Sequence, residues 1–515
     1  MSDLPRGWAR VSVGDLAADE PRAITDGPFG SNLKSEHYTD AGPRVIRLQN
    51  IGEGRFNDER AHISDVHFAS LRQHEAKAGD VLVAMLGDKL PRACLVPPTL
   101  GPAIVKADCA RVRVCSDFAR PQFVSYALNS EPVRSGAAEL IHGVGRPRLG
   151  LTLLRTVNLP IAPLGEQSRI VEAIESYSSR IDESIVLLAR VQRNLKRYRA
   201  SVLKAAVEGR LVPTEAELAR VEKRDYEPAS VLLERILVER RQQWEKEGRR
   251  GKYEEPEPPN TKSLPDLPEG WCWASVDQLG EVSGGLTKNA KRDTLPQRLP
   301  YLRVANVYAN ELRLNEVEEI GVADAEVSRT LLRPGDLLVV EGNGSLDQVG
   351  RVALWNGSIS PCLHQNHLIK VRLGNIELAS WVLSWLLSPA GRVQVQRVAS
   401  STSGLHTLSI SKIAGLPVPL CPVTEQPRIR LEVDRLVTLA VSSQHTTVGA
   451  MQRASRLRQS ILKWAFEGKL VDQDPNDEPA SALMKRIRDE REPKPSPAPR
   501  RSAGRPRSPK KESHP

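Results

Sequence analysis

The sequence predicts a duplicated architecture in which two globular domains with short strands are held apart by two long antiparallel helices. Four segments recur in the same order, at offsets of 263, 259, 259 and 251 residues. Apolar residues at heptad-like spacing run from residue 170 to residue 202, with no Pro or Gly among them. The regions between the repeated segments share only a few strand-like pieces. Repetition of this kind indicates a duplicated frame with two divergent inserts.

The repeated segments lie at both ends of each half of the chain. They are LPRGWARVSVGDL (4–16) with LPEGWCWASVDQL (267–279), EQSRI (166–170) with EQPRI (425–429), SVLKAAVEGRLV (201–212) with SILKWAFEGKLV (460–471), and EPASVLLERILVER (227–240) with EPASALMKRIRDER (478–491). The inserts, 17–157 and 280–415, largely fail to align. We expect the repeated segments, which form the common frame of both halves, to bind the same kind of partner. The two inserts are expected to bind two different targets. An old tandem duplication with ordinary loop drift is the alternative.

The long helices are expected at 166–212 and 425–471. Their apolar residues are spaced three or four positions apart, as in helices that pack lengthwise on each other. A helix of this length spans roughly 60 Å, which is too long for one small domain. Docking of each helix on its own domain is the alternative. The stripe includes Ile170, Ile174, Ile181, Leu188 and Leu195 in the first helix, and Ile429, Val433, Leu436 and Ile461 in the second.

The remaining boundaries follow from composition. We expect globular domains at 1–165 and 263–424, a helical extension and linker at 213–262, a short helical extension at 472–492, and a disordered basic tail at 493–515. The helical stretches 228–247 and 479–491 are rich in Arg, Glu and Leu. They are therefore expected to be solvated or to bind a partner instead of joining a core. The tail contains seven prolines, a composition typical of disorder.

Charge gives weak support for a nucleic-acid partner. The net charge is +10, but residues 493–515 contribute seven Lys or Arg against one Glu, so the body is only mildly basic. The N-terminal sequence has no apolar segment typical of a signal peptide, and no run of eighteen apolar residues occurs. The six cysteines are scattered without a CxxC pair. This usage fits a reducing cytoplasm.

The sequence contains no recognisable catalytic motif. A phosphate-binding GxxxxGK[ST] loop and an NPPY-like tetrapeptide are both missing. The strands that begin near Asp80 and Asp336 lack the acidic-x-Lys pattern of a metal-dependent nuclease. His364 and His367, in HQNH, have no further ligand at metal-binding spacing. We therefore expect a chain that is not an enzyme and binds no metal.

Loops in both inserts are dense in side chains that suit DNA. Arg and Lys pair with guanine and Asn with adenine, whereas Ser, Thr and glycine-rich backbone hold phosphates. Plain solvent exposure is the alternative for each residue. Asn50 and Asn306 stand at matching places after strand-like runs and could instead cap a turn. The candidates are Ser31, Asn32, Lys34, Lys89, Arg92, Arg146 and Arg148 in the first insert, and Lys288, Asn289, Asn343, Ser345, Asn366, His367, Ser403 and His406 in the second.

Taken together, the repeated motifs resemble the specificity subunits of type I restriction–modification enzymes. The resemblance covers roughly residues 4–491. It is carried by LPxGW at the start of each half, by GPFGSNLKSEHY (27–38) followed by VIRLQNI, by the GD strands, and by the Pro-rich strands that run into EQxRI. The long segment 213–262 and the basic tail depart from a compact member of the family.

The resemblance implies an α+β fold for each globular domain, which would be a target-recognition domain reading one half of a split, asymmetric DNA site. The two domains would be related by a pseudo-twofold axis, and the coiled-coil helices would fix the gap between half-sites. It also implies that the helices dock methyltransferase subunits, in two copies, with restriction and translocase subunits added. S-adenosylmethionine, ATP and Mg²⁺ would belong to those partners. No individual base contact carries over from the family.

Two other functions stay open at this point. A scaffold that assembles proteins without reading DNA would show no sequence-selective binding. A stand-alone methyltransferase or nuclease would show activity or S-adenosylmethionine binding without partners. Within the favoured interpretation, the chain could also serve a system that methylates DNA without cleaving it.

Overall fold

The computed structural model describes residues 4–141, 147–248, 251–402 and 404–491. The chain divides into two units. Unit 1 contains the residues up to Leu187 and those from Ala450 onward, and unit 2 contains Leu188–Gly449. Among the residues so described, no helix is both long and apolar enough to cross a membrane.

The first half of the chain forms a mixed domain that ends in a long helix. Its strands are β1 (Ala9–Ser12), β2 (Ile24–Asp26), β3 (Tyr38–Ile46), β4 (His62–Ile63), β5 (Glu75–Ala76), β6 (Val81–Ala84), β7 (Arg92–Leu95), β8 (Ala103–Val105), β9 (Cys109–Val112) and β10 (Asn158–Ile161). Its helices are α1 (Asp65–Ser70), α2 (Pro121–Leu128), α3 (Glu131–Ala138), α4 (Leu151–Thr156) and α5 (Leu164–Val207).

The second half begins with two helices and then repeats the pattern. The helices are α6 (Glu215–Glu222), α7 (Ala229–Lys246), α8 (Val276–Leu279), α9 (Asp324–Thr330), α10 (Ile376–Leu387), α11 (Pro389–Val398), α12 (Ile410–Ala414), α13 (Glu425–Phe466) and α14 (Ala480–Arg491). The strands are β11 (Cys272–Ser275), β12 (Gly280–Gly284), β13 (Arg298–Leu302), β14 (Val307–Tyr308), β15 (Glu311–Leu312), β16 (Glu318–Gly321), β17 (Leu337–Val340), β18 (Gly342–Asn343), β19 (Val352–Leu354), β20 (Leu363–His364), β21 (Leu368–Leu373), β22 (Ser400–Thr402), β23 (Leu405–Thr407) and β24 (Pro417–Leu420).

The two globular domains have the same sheet topology. The order β2-β9-β6-β7 in unit 1 corresponds to β12-β21-β17-β19 in unit 2. A second sheet contains a parallel pair in each unit, β3 with β8 and β13 with β20. The pairs β1-β10 and β11-β24 close each domain next to its long helix. The α+β fold predicted for both domains is confirmed.

The Gly-Asp motifs that directly precede β6 and β17 stabilise the fold in both units. The buried Asp80 carboxylate accepts hydrogen bonds from Nε and Nη2 of Arg113, each at 2.9 Å. Asp336 is bound in the same way by Arg372, at 2.8 and 2.6 Å. These hydrogen bonds raise the pKa of both arginines. The acidic residues therefore hold neighbouring strands together.

Asn50 and Asn306 each close a turn, as the sequence suggested. The Oδ1 atom of Asn50 accepts the backbone N–H of Arg47 at 2.8 Å, and its Nδ2 donates to two backbone carbonyls. Asn306 makes the matching bond to Arg303 at 2.8 Å, together with two similar donations. Both asparagines are buried. Their place in both copies is explained by the turn.

The long helices α5 and α13 pack on each other antiparallel within each unit. In unit 1, Ile174 of α5 and Ile461 of α13 share one core, and Arg458 donates to Asp182 at 2.5 Å. In unit 2, Val202 of α5 shares a core with Val433 of α13. The predicted pair of long antiparallel helices is confirmed.

The apolar stripe on these helices divides into two classes of residue. One class is buried in the cores of the units: Ile170, Ile174, Ile429, Val433 and Ile461. The other class is half-buried: Ile181, Leu188, Leu195 and Leu436. The residues of the first class are buried within the units, whereas those of the second class keep part of their surface exposed.

Each globular domain is completed by one of the two helical extensions. In unit 1, the backbone N–H of Ala480, at the start of α14, donates to the carbonyl of Gly7 at 2.8 Å. In unit 2, Ala229, at the start of α7, donates to Gly270 at the same distance. Gly7 and Gly270 have φ of +80° and +84°, a region that glycine enters without strain. The LPxGW and EPAS motifs are therefore two sides of one contact.

The extension helices were expected to stay outside any core, and this was wrong. Leu483 of α14 is buried in the core of unit 1, and Leu232 of α7 is buried in that of unit 2. The error arose because each helix fully buries only two apolar residues, Ala480 and Leu483 in α14 and Ala229 and Leu232 in α7. An amphipathic pattern over so few turns is easily hidden among Arg and Glu.

Candidate nucleic-acid interface

Unit 1 brings three chain segments together at the end of β6, and we call this region surface A. The backbone N–H of Met85 donates to the carbonyl of Asp108 at 2.8 Å, and Leu149 donates to Met85 at 2.8 Å. The loop that starts at Gly27 joins them, because a side chain at Gly27 would overlap the backbone of Lys106. Surface A thus consists of residues 27–34, 85–89, 106–108 and 147–149.

Unit 2 builds the corresponding region, surface B, with the same backbone bonds. Glu341, after β17, donates to the carbonyl of His367 at 3.0 Å, and Leu408 donates to Glu341 at 2.8 Å. A side chain at Gly285 would overlap the carbonyl of His364. Surface B consists of residues 285–292, 341–345, 365–367 and 405–407. The two surfaces therefore occupy equivalent places on two copies of one fold.

Surface A collects most of the candidates from the first insert. Ser31, Asn32 and Lys34 are exposed on the loop after Gly27, and Lys89 is exposed on the turn after β6. Arg148 contacts two of the segments. Its Nη2 atom lies 2.8 Å from Oδ1 of Asp108, and its guanidinium lies over the ring of Phe29, 5.5 Å from the centroid. Arg146 lies outside the described residues.

Arg92 is engaged elsewhere in unit 1. Its Nε donates to the carbonyl of Ile51 at 2.6 Å, and its Nη2 donates to that of Leu48 at 3.2 Å. The side chain is half-buried. Because these bonds hold the turn at 48–51, we assign Arg92 to the fold and not to surface A.

Surface B gathers the first group of candidates from the second insert. Lys288 and Asn289 are exposed on the loop after Gly285, and Lys288 pairs with Glu318 at 3.1 Å. The backbone N–H of Asn366 donates to Leu286 at 2.9 Å, which places Asn366 next to that loop. His367 is exposed on the same turn.

A second group of candidates lies on the small sheet β18-β23-β22. Asn343 stands opposite His406 in the antiparallel ladder. The Oδ1 atom of Asn343 accepts the backbone N–H of Ser345 at 2.9 Å and thereby orders the turn. Nδ1 of His367 lies 2.7 Å from Oε2 of Glu341, which directly precedes this strand. Ser403 lies outside the described residues.

The side chains on the two surfaces differ although the backbone bonds match. Asp108 and His367 occupy equivalent turns, since each carbonyl accepts the N–H that follows the central strand. Surface A pairs its acidic Asp108 with a guanidinium, whereas surface B pairs an imidazole with Glu341. One scaffold therefore presents two different patterns of donors and acceptors.

The HQNH segment does not form a metal site. His364 is fully buried, and its Nδ1 lies 3.0 Å from the carbonyl of Thr330. Burial lowers its pKa to about 4. His367, three residues on, is exposed and faces Glu341. Across the described ranges, no three His, Cys, Asp or Glu side chains lie close enough together to hold a metal ion.

Sequence reasoning missed a cationic group beside surface B. The Cζ atoms of Arg313 and Arg351 lie 3.8 and 4.8 Å from the ring centroid of Tyr308. Spacing along the chain gave no signal for it, because the three residues come from separate segments.

Known proteins similar in sequence to this chain include specificity subunits of type I restriction enzymes. No family model matches the sequence. The EcoKI specificity subunit of a type I restriction enzyme from Escherichia coli K12 is 26% identical over 95% of this chain and 96% of its own length. The StySPI specificity subunit from Salmonella potsdam is 24% identical over the same shares of the two chains. This chain is similar in sequence to type I specificity subunits over nearly its whole length. The resemblance inferred from the repeated motifs is thereby confirmed.

Solved structures of type I specificity subunits and their complexes share the fold. A chain from a study of complex assembly and conformational transition in the type I restriction–modification system matches with a TM-score of 0.61 and 18% identity, over 91% of this chain and all of its own. The HsdS subunit from Thermoanaerobacter tengcongensis matches with a TM-score of 0.50 and 18% identity, over 91% of this chain and 98% of its own. The arrangement of strands and long helices is thus shared along nearly the whole chain.

Proposed function

We propose that this chain is the DNA-sequence specificity subunit of a type I restriction–modification complex. In this proposal, surface A reads one half of a bipartite, asymmetric DNA site and surface B reads the other. The observation that carries the proposal is the pair of equivalent surfaces, which share backbone hydrogen bonds but differ in side chains. Full-length similarity to specificity subunits supports it.

The chemistry of the two surfaces suits base reading. Arg148 and Lys89 on surface A are donors of the kind that pair with the O6 and N7 atoms of guanine. Asn343 on surface B has an amide of the kind that pairs with adenine. Ser31 and Ser345, beside glycines, suit phosphate oxygens. Because the donor sets differ, we expect the two half-sites to differ in sequence.

The chain is proposed to act without a catalytic group of its own. Chemistry would come from methyltransferase subunits, in two copies, and from restriction and translocase subunits, which would supply the sites for S-adenosylmethionine, ATP and Mg²⁺. The complex would work in the cytoplasm, where its DNA is. A system that only methylates DNA would use this chain in the same way.

Exposed apolar residues on the long helices are the proposed docking surface for the methyltransferase. In unit 1, Val186 and Leu187 of α5 are 65% and 60% exposed. In unit 2, Leu431 and Leu439 of α13 are 72% and 56% exposed. Such residues on otherwise charged helices commonly mark protein interfaces. The half-buried stripe residues Ile181, Leu188, Leu195 and Leu436 lie on the same helices.

A domain exchange tests the proposal. Residues 17–157 are replaced by the corresponding insert of a related specificity subunit, and the DNA motif methylated by the complex is mapped. One half-site should change and the other should persist, because each insert lies within a single unit. A change in both halves would contradict modular reading. A methylated motif that is the same before and after the exchange would favour a scaffold that assembles proteins without reading DNA.

A further inference from the structure

Two arginine side chains lie against one tyrosine ring next to surface B. Tyr308 belongs to the short hairpin β14-β15, where it stands opposite Glu311. The guanidinium carbons of Arg313 and Arg351 lie 3.8 and 4.8 Å from the centre of its ring. Cation–π contact at these distances holds both positive groups at one place.

The backbone fixes this cluster beside the predicted base-reading turn. Val340 donates to the carbonyl of Arg351 at 2.8 Å and accepts the N–H of Gly350 at 3.0 Å. Asn343 follows three residues after Val340, so Arg351 lies at the base of the Asn343 turn. The hairpin is attached at the same point, since Asn310 donates to Val352 at 2.9 Å.

The positive charge of the cluster exceeds the negative charge that it contacts. Arg313 pairs with Oε1 of Glu311 at 2.8 Å, and both side chains are more than half exposed. The Nε atom of Arg351 is buried and, among the described residues, has no hydrogen-bond partner. Two guanidinium groups on one ring repel each other unless an anion lies near them. A single exposed carboxylate does not balance the pair.

The equivalent place in unit 1 lacks this cluster. Gly54 donates to Ala93 at 2.8 Å, which is the counterpart of the bond between Asn310 and Val352. Along the matched hairpin, Gly52 takes the place of Tyr308. Asn57 takes the place of Arg313. The backbone N–H of Asn57 donates to the carbonyl of Asn50, and the backbone N–H of Arg313 donates in the same way to the carbonyl of Asn306.

Arg351 has its own counterpart in unit 1. Arg92 stands opposite Ala84 in the β6-β7 ladder, as Arg351 stands opposite Val340, but its guanidinium is used by two backbone carbonyls. The tyrosine with two guanidinium groups on its ring is therefore found in unit 2 and not at the matching place in unit 1.

We propose that Tyr308, Arg313 and Arg351 form a binding site for a DNA phosphate that flanks the half-site read by surface B. The inference rests on the proposed function. Glu311 shows that an acidic oxygen fits against Arg313. Because exposed ion pairs are weak, a phosphate can replace this carboxylate. The site would strengthen binding and set the register of surface B on DNA without reading bases.

The test uses the salt dependence of DNA binding. The full-length chain, co-purified with its methyltransferase, is titrated onto DNA that carries the methylated motif and onto DNA that does not, in about 50 to 200 mM salt. The measured quantity is the factor by which affinity falls between the lowest and the highest salt concentration. For Arg313→Asn and for Arg351→Gln, this factor should be about three- to fourfold smaller than for the wild type, as expected when one phosphate contact is removed. Both DNAs should be affected alike, and the motif should not change.

Two further variants sharpen the test. Glu311→Gln removes the competing carboxylate and should tighten binding to both DNAs. Arg235→Gln is the matched control, since Arg235 is an exposed arginine on α7 that pairs with Glu227 at 3.0 Å. It should leave the salt dependence unchanged. Unaltered melting temperatures for the variants show that any effect comes from binding.

The outcomes separate the two proposals. An unchanged salt dependence in both arginine variants, with the motif retained, would overturn the phosphate site and leave the specificity role intact. Loss of methyltransferase co-purification with unchanged DNA binding would also overturn it, in favour of a protein contact. A wild-type complex without any motif preference would instead contradict the specificity role.

Discussion

The indole Nε1 of Trp8 donates a hydrogen bond to the Oε1 atom of Glu166 at 3.1 Å, with both residues buried. Trp8 belongs to the LPxGW segment and Glu166 to the EQxRI segment at the start of α5. Trp271 and Glu425 make the same bond at 3.2 Å in unit 2. Two motifs separated by more than 150 positions are thus joined in each unit, and this contact fixes how each domain meets its long helix.

Replacement of Trp8 by Phe should destabilise unit 1. The variant loses the hydrogen bond and leaves a buried carboxylate with one partner fewer, a cost of about 1–3 kcal/mol. Hydrogen exchange measured by mass spectrometry should show faster exchange in residues 4–187 and little change in 188–449. The matched variant Trp271→Phe should show the opposite pattern. Equal effects on both units from either variant would contradict the assignment of one contact to each unit.

Leu483→Ala should weaken the first domain although Leu483 lies near the other end of the chain. Leu483 is buried in the core of unit 1, and loss of a buried leucine side chain costs about 2–5 kcal/mol. Limited proteolysis should then cut within 4–187 more readily. Lys485→Ala, at an exposed position on the same helix, is the control. Protection of 4–187 that survives the leucine change would mean that α14 does not complete this domain.

Single changes on surfaces A and B should alter different half-sites. Arg148→Ala on surface A should relax base preference in one half of the methylated motif, at a cost of about 1–3 kcal/mol if a bidentate contact to a base is lost. Asn343→Ala should relax the other half. Deep sequencing of a randomised site after methylation measures both effects. Relaxation of the same half by both variants would exclude the division of labour between the surfaces.

Acidification should destabilise unit 2 through His364. Its folded pKa of about 4 lies below the ordinary value of 6.5 because burial disfavours the charged ring. The unfolded chain therefore binds the additional proton, and stability is lost as the pH falls from about 6.5 towards 4. The loss between pH 7.5 and 5 is on the order of 2 kcal/mol.

His364→Val is the variant that tests this assignment. Val105 occupies the equivalent position in unit 1, since Val105 pairs with Ile46 as His364 pairs with Leu302. The variant should lose less of its melting temperature between pH 7.5 and 5 than the wild type loses. An identical pH dependence in both proteins would assign the acid sensitivity to other groups.

The repeats and the heptad-like spacing were sufficient to predict two similar α+β domains and a pair of long helices that pack on each other. The spacing and the order of the repeated segments are still recognisable after their sequences have diverged. An apolar stripe as long as that on α5 needs a second long helix to cover it. Which domain each extension helix completes was not predictable from the sequence. Short helices such as α7 and α14 bury one or two leucines each, so neither their partners nor their burial can be read from periodicity.

The candidate interface was predictable as a set of loops but not residue by residue. Asn343, His406 and Arg148 became candidates because polar residues near glycines follow strand-like runs, and the structure places them on surfaces A and B. The hydrogen bonds of Arg92 to the carbonyls of Leu48 and Ile51 were not predictable, because they depend on a turn distant in sequence. The group around Tyr308 was missed for the same reason.

The most direct test of the central claim is a map of DNA methylation in the genomes of cells that express the proposed methyltransferase partner with this chain and without it. We expect a split, asymmetric motif that is methylated only when the chain is present, with its two halves assigned to surfaces A and B by the Arg148 and Asn343 variants. Methylation that persists unchanged without the chain, or that never selects a motif, would contradict the specificity role.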